Sequence, residues 1–168
     1  MLNPANAVLG KLSAVSQANL FLRTFGITKI PMLAFVGPKI MSVNEQSVIV
    51  RIPLNWRTKN HLGSMYFGVL AAGADTAGAF LAMDAIWRSG RKIDLVFKDF
   101  KATFLRRATG DVDFRCTVGD QIGGLVQEAI ATGDRHEMTV PVTAVVPSQD
   151  PEQLVATFEL TLSIKRRN

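Results

Sequence analysis

The stretch NHLGSMYFGVLAAGADTA, residues 60–77, decides how this chain folds, because it joins a polar loop to a helix of unusual composition. The polar segment from Asn55 to Gly63 predicts a loop, and the apolar run after it predicts a helix from about Tyr66 to Arg88. Ser89-Gly90 closes that helix, since glycine readily adopts the left-handed conformation found just beyond helix ends.

Small side chains form a stripe along one side of this predicted helix: Ala71, Ala74, Gly78, Ala82 and Ala85. A glycine in a helix interior costs about 1 kcal/mol relative to alanine, and Gly73 lies in the same helix as Gly78. Close approach of another backbone is the usual compensation. We therefore expect the helix to be wrapped tightly by a curved sheet or to pack against a twin helix.

The residues before the quoted stretch predict one more helix and one strand region. Helical spacing of apolar side chains indicates an N-terminal helix over residues 4–24, within a segment 1–26 that Gly26 ends. Proline and glycine residues between 31 and 38 indicate a connector. Residues 39–53 alternate as a first strand region, with a turn or bulge at Asn44-Glu45-Gln46.

Strands dominate the rest of the chain. Alternation of apolar and polar residues predicts strands within 92–106, 112–118, 138–146 and 154–164. Val96, Phe100 and Phe104 are predicted to share one face of the first. Residues 121–132 fit either a short helix or a bulged strand, and Gly123-Gly124 argues against a stable helix.

This order of elements predicts an α+β fold. Consecutive strands joined by short turns imply an antiparallel sheet, and the long helix is the only element large enough to cover one of its faces. A chain of 168 residues, 48% hydrophobic and 20% charged, fits one domain with a sizeable core. We therefore expect residues 1–168 to form a single domain.

Composition also indicates the class of partner. Asp75 interrupts the most apolar region and no basic start precedes an apolar block, so we expect a cytoplasmic protein with no membrane partner. The net charge of +5 is compatible with an anionic partner, and a phosphate-bearing small molecule such as coenzyme A accounts for it as well as nucleic acid does. No motif or basic stripe interleaved with aromatics indicates nucleic acid.

The cysteine and the histidines predict no metal centre. Cys116, the only cysteine, alternates with Val112 and Phe114, so we expect a buried, unreactive thiol. His61 and His136 lie far apart in the sequence and offer no metal-ligand spacing. No cofactor is expected.

The quoted stretch resembles the catalytic segment of hotdog-fold thioesterases of the phenylacetyl-CoA type, in which Asn, His-Gly-Gly and a helix with Asp-Thr-Ala recur at this spacing. FLRRATGD, residues 104–111, is similar to the strand end "aromatic, Leu, Arg, Pro, Ala, Gly, Asp" of that family. The resemblance covers about residues 38–165 and is closest to an uncharacterised branch in which the His-Gly pair is replaced. It implies a hotdog fold, a curved antiparallel sheet around one long central helix, here with an extra N-terminal helix.

The resemblance assigns roles residue by residue: Asn60 matches the family Asn, Gly68 the second Gly, Asp75 the catalytic carboxylate and Thr76 the residue after it. Tyr66 stands where the family has His, and Phe67 where it has the first Gly. The hydrogen bond from that His is therefore lost, although the hydroxyl of Tyr66 is still a donor, and Phe67 narrows the site. Asn60 either orients the substrate or only shapes its loop, and Thr76 either positions water or only fills the helix.

The spacing within the helix makes chemical sense for thioester hydrolysis, which needs a polarised carbonyl and an activated water. Free N–H groups at a helix N-terminus suit an oxyanion, and Gly68 would let the carbonyl approach the backbone. Asp75 lies about 10.5 Å further along the helix, too far to act on the same carbon within one chain. An antiparallel partner helix would bring a second Asp75 beside the first Gly68. The sequence thus predicts a homodimer with two composite sites, and leaves open whether dimers pair into a tetramer.

We therefore predict an acyl-CoA or acyl-carrier thioester hydrolase in which Asp75 activates water. Ser64 and Phe67 are expected to bind substrate, and Arg106 and Arg107, with Lys101 nearby, to contact coenzyme A phosphates. The alternatives are a non-catalytic acyl-thioester binding protein and a purely structural dimerisation module. The acyl group is open, because the surrounding phenylalanines accommodate a fatty chain or an aryl ring.

Overall fold

The structure is a computed structural model that describes residues 13–167. Its helices are α1 (Ala14–Thr28), α2 (Pro31–Val36), α3 (Phe67–Ser89) and α4 (Gly119–Thr132). Its strands are β1 (Lys39–Val43), β2 (Val48–Ile52), β3 (Ile93–Phe104), β4 (Val112–Cys116), β5 (Arg135–Val146) and β6 (Asp150–Arg166).

The strands form one curved antiparallel sheet around α3, as predicted. Their order is β1-β2-β4-β5-β6-β3, so β1 and β3 are its edges. Alternate residues of the central strands point toward α3, and the largest fully buried side chains include Phe114 of β4 and Phe158 of β6. The predicted short turns join only two neighbouring pairs, β1–β2 and β5–β6, whereas β3 crosses over to pair with β6 and α4 connects β4 to β5.

The small residues in the middle of the α3 stripe pack against this sheet. Ala74, Gly78 and Ala82 in the middle of the stripe are buried. Gly73 is required by a close approach, because a Cβ there would overlap the ring of Phe114. At Gly78 a Cβ would meet Val140 and Leu160 at ordinary contact distances of 3.6 and 3.7 Å, so no close approach explains that glycine.

The N-terminal helix is confirmed but does not end where predicted. α1 starts after Ser13, whose hydroxyl accepts a hydrogen bond from the Ser16 N–H, and it runs through Gly26 to Thr28. Gly26 is buried where the backbone of Ala34 comes close, which is a packing role. The predicted start, residues 4–12, lies outside the described residues. The predicted connector contains α2, which begins at Pro31 and ends at Gly37 in the left-handed conformation.

The first strand region is a hairpin. Asn44-Glu45-Gln46 forms the predicted turn, in which the side-chain oxygen of Asn44 accepts from the N–H groups of Gln46 and Ser47. Two short strands, β1 and β2, pair across it.

Residues 121–132 belong to a helix, which settles the alternative that the sequence left open. Ile122, Val126 and Ala129 of α4 are fully buried at helical spacing, and α4 packs against α3 and β5. The two central glycines point into open space, so they weaken the helix without preventing it. The long helix α3 is therefore not the only cover of the sheet.

A bulge in β3 separates residues that were predicted to share a face. The pairing of β3 with β6 shifts register between Phe97 and Asp99. Phe100 and Phe104 both contact the buried ring of Phe158, on the inner face of the sheet. Val96 lies before the bulge and pairs with Ser163, on the opposite face. The shared face predicted for Val96 is therefore wrong.

α3 is the core helix of a soluble domain. It is the one helix among the described residues that is long and apolar enough to cross a membrane, but 67% of its most apolar window is buried within this fold. Cys116 is buried as predicted, and burial raises the pKa of its thiol.

Candidate functional site

A pocket lies at the N-terminal end of α3, with a cavity volume of about 320 Å³. We call it the amide pocket. Six residues that the sequence singled out line it: Asn60, Ser64, Tyr66, Phe67, Arg106 and Arg107. The loop before α3 and the strand end after β3 supply these residues, so two separate motifs of the sequence meet here.

The start of α3 offers free hydrogen-bond donors. Tyr66 is the N-cap residue, and its side chain caps no backbone group. Within residues 13–167, the N–H groups of Phe67 and Gly68 have no hydrogen-bond acceptor. No acidic residue lies in the first turn to neutralise the positive end of the helix dipole. This end of the helix can therefore receive an anion or a polarised oxygen.

The loop before α3 is held by Asn60 and by Arg107. The side-chain oxygen of Asn60 accepts from the N–H groups of Leu62 (2.9 Å) and Ser64 (3.2 Å), and its amide nitrogen donates to the Ser64 hydroxyl. The guanidinium of Arg107 donates to the carbonyl of Leu62. Of the two roles considered for Asn60, the structure places it in the loop-shaping one. Arg107 has the same effect from the other side of the pocket.

Aromatic rings form the apolar wall of the amide pocket. The rings of Tyr66 and Phe67 pack edge to face at 4.8 Å, and Phe67 lies 6.5 Å from Phe104. The ring of Tyr66 also covers Gly68, where a Cβ would come within 2.6 Å of Tyr66 Cε1. Gly68 thus makes room for the tyrosine ring, and the expected open approach of a carbonyl to Gly68 is not present. The amide of Phe67 is the donor that sequence reasoning missed, because only its ring was considered.

A second cavity, of about 840 Å³, runs along α3 and contains Asp75 and Thr76. We call it the helix groove. Its lining comes from α1, α2 and the segment between them, from α3 and from β3: Phe21, Phe25, Ile30, Leu33, Asp75, Thr76, Ala79, Met83, Ile86, Trp87, Gly90, Arg91, Ile93, Leu95, Val96 and Phe97. The contribution of the N-terminal segment was not predicted, because no local pattern signals which helices meet in space.

Asp75 is a half-buried carboxylate without a partner in the part of the chain that the structure describes. It has no hydrogen bond or ion pair there, and burial raises its pKa above the ordinary value for aspartate. An ionised carboxylate in an apolar setting is costly, so a fold retains one only where something else compensates. A carboxylate on the solvated surface of a helix would not have its pKa raised by burial, so Asp75 is not simply a solvated surface residue.

Thr76 lies beside Asp75 but is engaged in its own helix. Its side chain is 2% exposed, and its hydroxyl donates to the Ala72 carbonyl at 2.7 Å. The helix-filling role is the one that this hydrogen bond supports.

The amide pocket and the helix groove are separate cavities in one subunit. Gly68 and Asp75 are seven residues apart on one continuous helix, a rise of about 10.5 Å. One chain therefore holds unbonded N–H donors and a carboxylate in fixed positions that do not meet.

Comparison with solved structures identifies the fold. The chain is similar to a candidate thioesterase from Shewanella oneidensis, with 17% identity, a TM-score of 0.74, and coverage of 88% of this chain and 97% of that one. A protein of unknown function from Chlorobaculum tepidum matches with 15% identity, a TM-score of 0.78, and coverage of 91% and 97%. A thioesterase from Haemophilus influenzae matches with 19% identity, a TM-score of 0.65, and coverage of 93% of each chain. These matches confirm the hotdog fold.

No curated protein matches the sequence significantly. The sequence model of one family, described as a domain of unknown function (DUF4442), matches residues 18–164. This confirms the predicted place in an uncharacterised hotdog branch. With nearly its whole length matched, the chain belongs to the DUF4442 family.

Proposed function

We propose that this protein hydrolyses acyl thioesters, of coenzyme A or of a carrier protein, as a homodimer with two composite sites. In each site the carboxylate of one subunit acts beside the helix N-terminus of the other. The observation that carries the proposal is Asp75, an unpaired carboxylate with a raised pKa in an apolar cavity. Perturbed carboxylates in clefts are characteristic of general bases.

The amide pocket supplies the complementary half. The unbonded N–H group of Phe67 and the positive end of the α3 dipole stabilise negative charge on a carbonyl oxygen. A water molecule, deprotonated by Asp75, adds its oxygen to the thioester carbon. The carbon–sulfur bond then breaks, the thiolate takes the proton that Asp75 had accepted, and the free thiol leaves. The carboxylic acid product loses its remaining proton to solvent and leaves as a carboxylate.

The edge of the sheet supports dimer formation. β3 is a twelve-residue edge strand whose outer backbone groups have no partner in residues 13–167, whereas the other edge, β1, is only five residues long. Phe100 and Phe104 on its inner face are 43% and 47% exposed. Long apolar edges of this kind are usually covered in soluble proteins. Antiparallel pairing of two β3 strands would extend the sheet and bring two α3 helices together.

The thiol moiety is expected to lie over the basic side of the amide pocket. Arg106 is exposed there, and its side chain has no partner among the residues described, so it is available for a phosphate. Arg107 is already bonded to the loop, and Lys101 pairs with Glu159 at 3.3 Å. Of the three cations considered from the sequence, Arg106 is the one best placed to bind coenzyme A.

A second function has its own supporting observation. The Tyr66 ring covers Gly68, and no histidine takes the place that the family resemblance assigns to one. A site of this shape fits a protein that binds acyl thioesters without cleaving them.

Subunit mixing tests the composite site. Asp75→Asn removes the base, and Phe67→Pro removes an amide donor at the first helical position, where proline is tolerated. We expect each variant alone to lose about 10²-fold or more in kcat with acyl-CoA substrates. When the two are unfolded and refolded together, half of the dimers are mixed and each regains one intact site, so about a quarter of the wild-type activity should return.

The outcomes separate the alternatives. Activity lost in both variants and not restored by mixing means that the two groups act within one subunit, which rejects the composite site. A wild-type protein that releases no thiol but is stabilised against heat by acyl-CoA is a binding protein. A protein that neither hydrolyses nor binds acyl-CoA is a structural module.

A further inference from the structure

Four residues one helical turn apart form the floor of the helix groove: Asp75, Ala79, Met83 and Trp87. The spacing of four places them in one row along α3, about 6 Å apart at each step. The row starts at the unpaired carboxylate and ends at an indole that is 75% exposed. Ala79, next to Asp75, is the smallest of the four and leaves an open channel away from the carboxylate.

Apolar walls rise on both sides of this row. Phe21, Phe25, Ile30 and Leu33 come from the α1–α2 segment, and Ile93, Leu95 and Phe97 come from β3. Phe21 packs on Phe25 at 5.8 Å and on Phe80 of α3 at 6.2 Å, so that wall is fixed to the helix. Among residues 13–167, the only side chains with a formal charge that line the groove are Asp75 at one end and Arg91 at the other. The lining between them is mostly apolar.

The dimensions match a long, thin ligand. Asp75 and Trp87 are twelve residues apart on α3, about 18 Å. An extended hydrocarbon chain advances about 1.25 Å per carbon, given a C–C bond of about 1.5 Å, so this length holds about fourteen carbons. The cavity of about 840 Å³ is far larger than an aryl ring needs. Each methylene removed from water adds roughly threefold to fourfold in affinity.

We propose that the helix groove binds an unbranched aliphatic acyl chain of about ten to fourteen carbons, lying along α3 with its carbonyl end at Asp75 and its methyl end at Trp87. The assignment of a thioester at the carbonyl end rests on the proposed function, but the chain-binding groove does not. The α1–α2 segment is thus a wall of the acyl site. The proposal thus favours a fatty chain over an aryl ring, between which the sequence did not distinguish.

The two tryptophans provide a direct test of chain binding. Trp87 lines the groove, whereas Trp56 lies outside it, 76% exposed and packed on Phe35 at 6.3 Å. A Trp56→Phe variant retains only Trp87, and a Trp87→Phe variant retains only Trp56. We expect 12-bromododecanoic acid, whose bromine sits at the methyl end, to quench Trp87 fluorescence saturably and to leave Trp56 unchanged. Equal quenching of both, or of neither, overturns the inference.

Chain-length selection gives a second test with matched variants. Met83→Trp shortens the groove and Met83→Ala lengthens it, so the chain length bound most tightly should fall by about four carbons in the first and rise in the second, measured by displacement of the brominated acid. Met41→Trp, on the exposed edge strand β1 away from the groove, is the control and should change nothing. Identical chain-length profiles in both Met83 variants and the control reject the assignment.

These tests fail independently of the proposed function. Saturable quenching of Trp87 without release of thiol from acyl-CoA keeps the acyl groove and rejects the hydrolase. Hydrolysis without quenching, and with a profile unchanged in the Met83 variants, keeps the hydrolase and rejects this groove. Trp87 buried by a second subunit in the free dimer, with no response to the acid, assigns the groove to a protein partner.

Discussion

The amide pocket and the helix groove lie on the same helix but have opposite chemical character. The amide pocket has unbonded N–H donors and exposed guanidinium groups, and no carboxylate lines it. The helix groove has apolar walls and one carboxylate without a counter-ion. Each region stabilises the charge that the other lacks. In the proposed mechanism these two regions are half-sites, and a second copy of the chain brings them together.

The two regions also differ in how many hydrogen bonds hold their polar groups in place. Hydrogen bonds from Asn60 and Arg107 fix the loop of the amide pocket, and the Tyr66 ring closes over Gly68. Asp75 has no such support. A polar group left without hydrogen bonds destabilises a fold, so the groove is the region in which an unbonded carboxylate lowers the stability of the fold.

The largest expected effect concerns the pH dependence of turnover. Burial raises the pKa of Asp75, and only the ionised form accepts a proton from water. Below that raised pKa, kcat should fall about tenfold per pH unit. The acid limb of the kcat profile should therefore lie above the range of an ordinary aspartate. An acid limb at the ordinary value, in protein shown to remain folded, would assign the base to another group.

The next effect concerns the stability of the part of α3 that holds Gly73 and Gly78. Gly73→Ala forces a Cβ into the Phe114 ring and should lower the free energy of unfolding by about 1–3 kcal/mol in urea titrations. Gly78→Ala, in the same helix, meets only ordinary contacts and should raise it by about 0.5–1 kcal/mol. If both substitutions behave alike, the helix is not held against the sheet as described.

The stability of the Asp75→Asn variant tests whether the carboxylate of the helix groove lacks the hydrogen bonds that hold the loop of the amide pocket. A carboxylate whose pKa is raised in the folded state destabilises the fold at neutral pH, and this penalty disappears as the pH falls through the raised pKa. We expect Asp75→Asn to be about 1 kcal/mol more stable at pH 7 and equal to wild type in acid. Asn60→Ala, which removes the loop hydrogen bonds, should be destabilised instead. Loss of stability in Asp75→Asn at pH 7 would show that the carboxylate has a partner.

The smallest expected effect concerns the exposed cation of the amide pocket. Arg106→Ala should raise KM for acyl-CoA up to about fivefold and leave kcat unchanged, because an exposed ion pair contributes little. Lys101→Ala removes a neighbouring cation that is tied to Glu159, and should change neither constant. Equal changes in KM for the two variants would mean that only net charge matters.

Local sequence patterns predicted the regular parts of this fold. The helix around Asp75, the alternating strands and the turn at Asn44 all depend on residues close in sequence. The β3 bulge that separates Val96 from Phe100 was missed, because a single extra residue interrupts the alternation without a sequence signal. α4 was left open because Gly123-Gly124 weighed against it, whereas burial of Ile122 and Val126 overrides that propensity.

The same distinction between local and long-range contacts explains which parts of the candidate site the sequence predicted. The residues of the amide pocket are close in sequence or belong to a recognisable strand end, so the sequence grouped them. The groove wall formed by Phe21, Phe25 and Leu33 depends on where α1 and α2 settle against α3, which no local spacing encodes. The hydrogen bonds that Asn60 makes in its loop and that Thr76 makes in its helix likewise become visible only in the three-dimensional structure.

The long edge strand β3 has a consequence for the solubility of a subunit that has not yet paired with another. A newly made subunit presents twelve residues of unsatisfied strand, with Phe100 and Phe104 beside it. Such an edge recruits any strand that reaches it, including the same edge of many other copies. In the proposed dimer, subunit pairing and fibre formation therefore compete for one surface, and we expect mutations that slow subunit pairing to yield insoluble protein instead of free subunits.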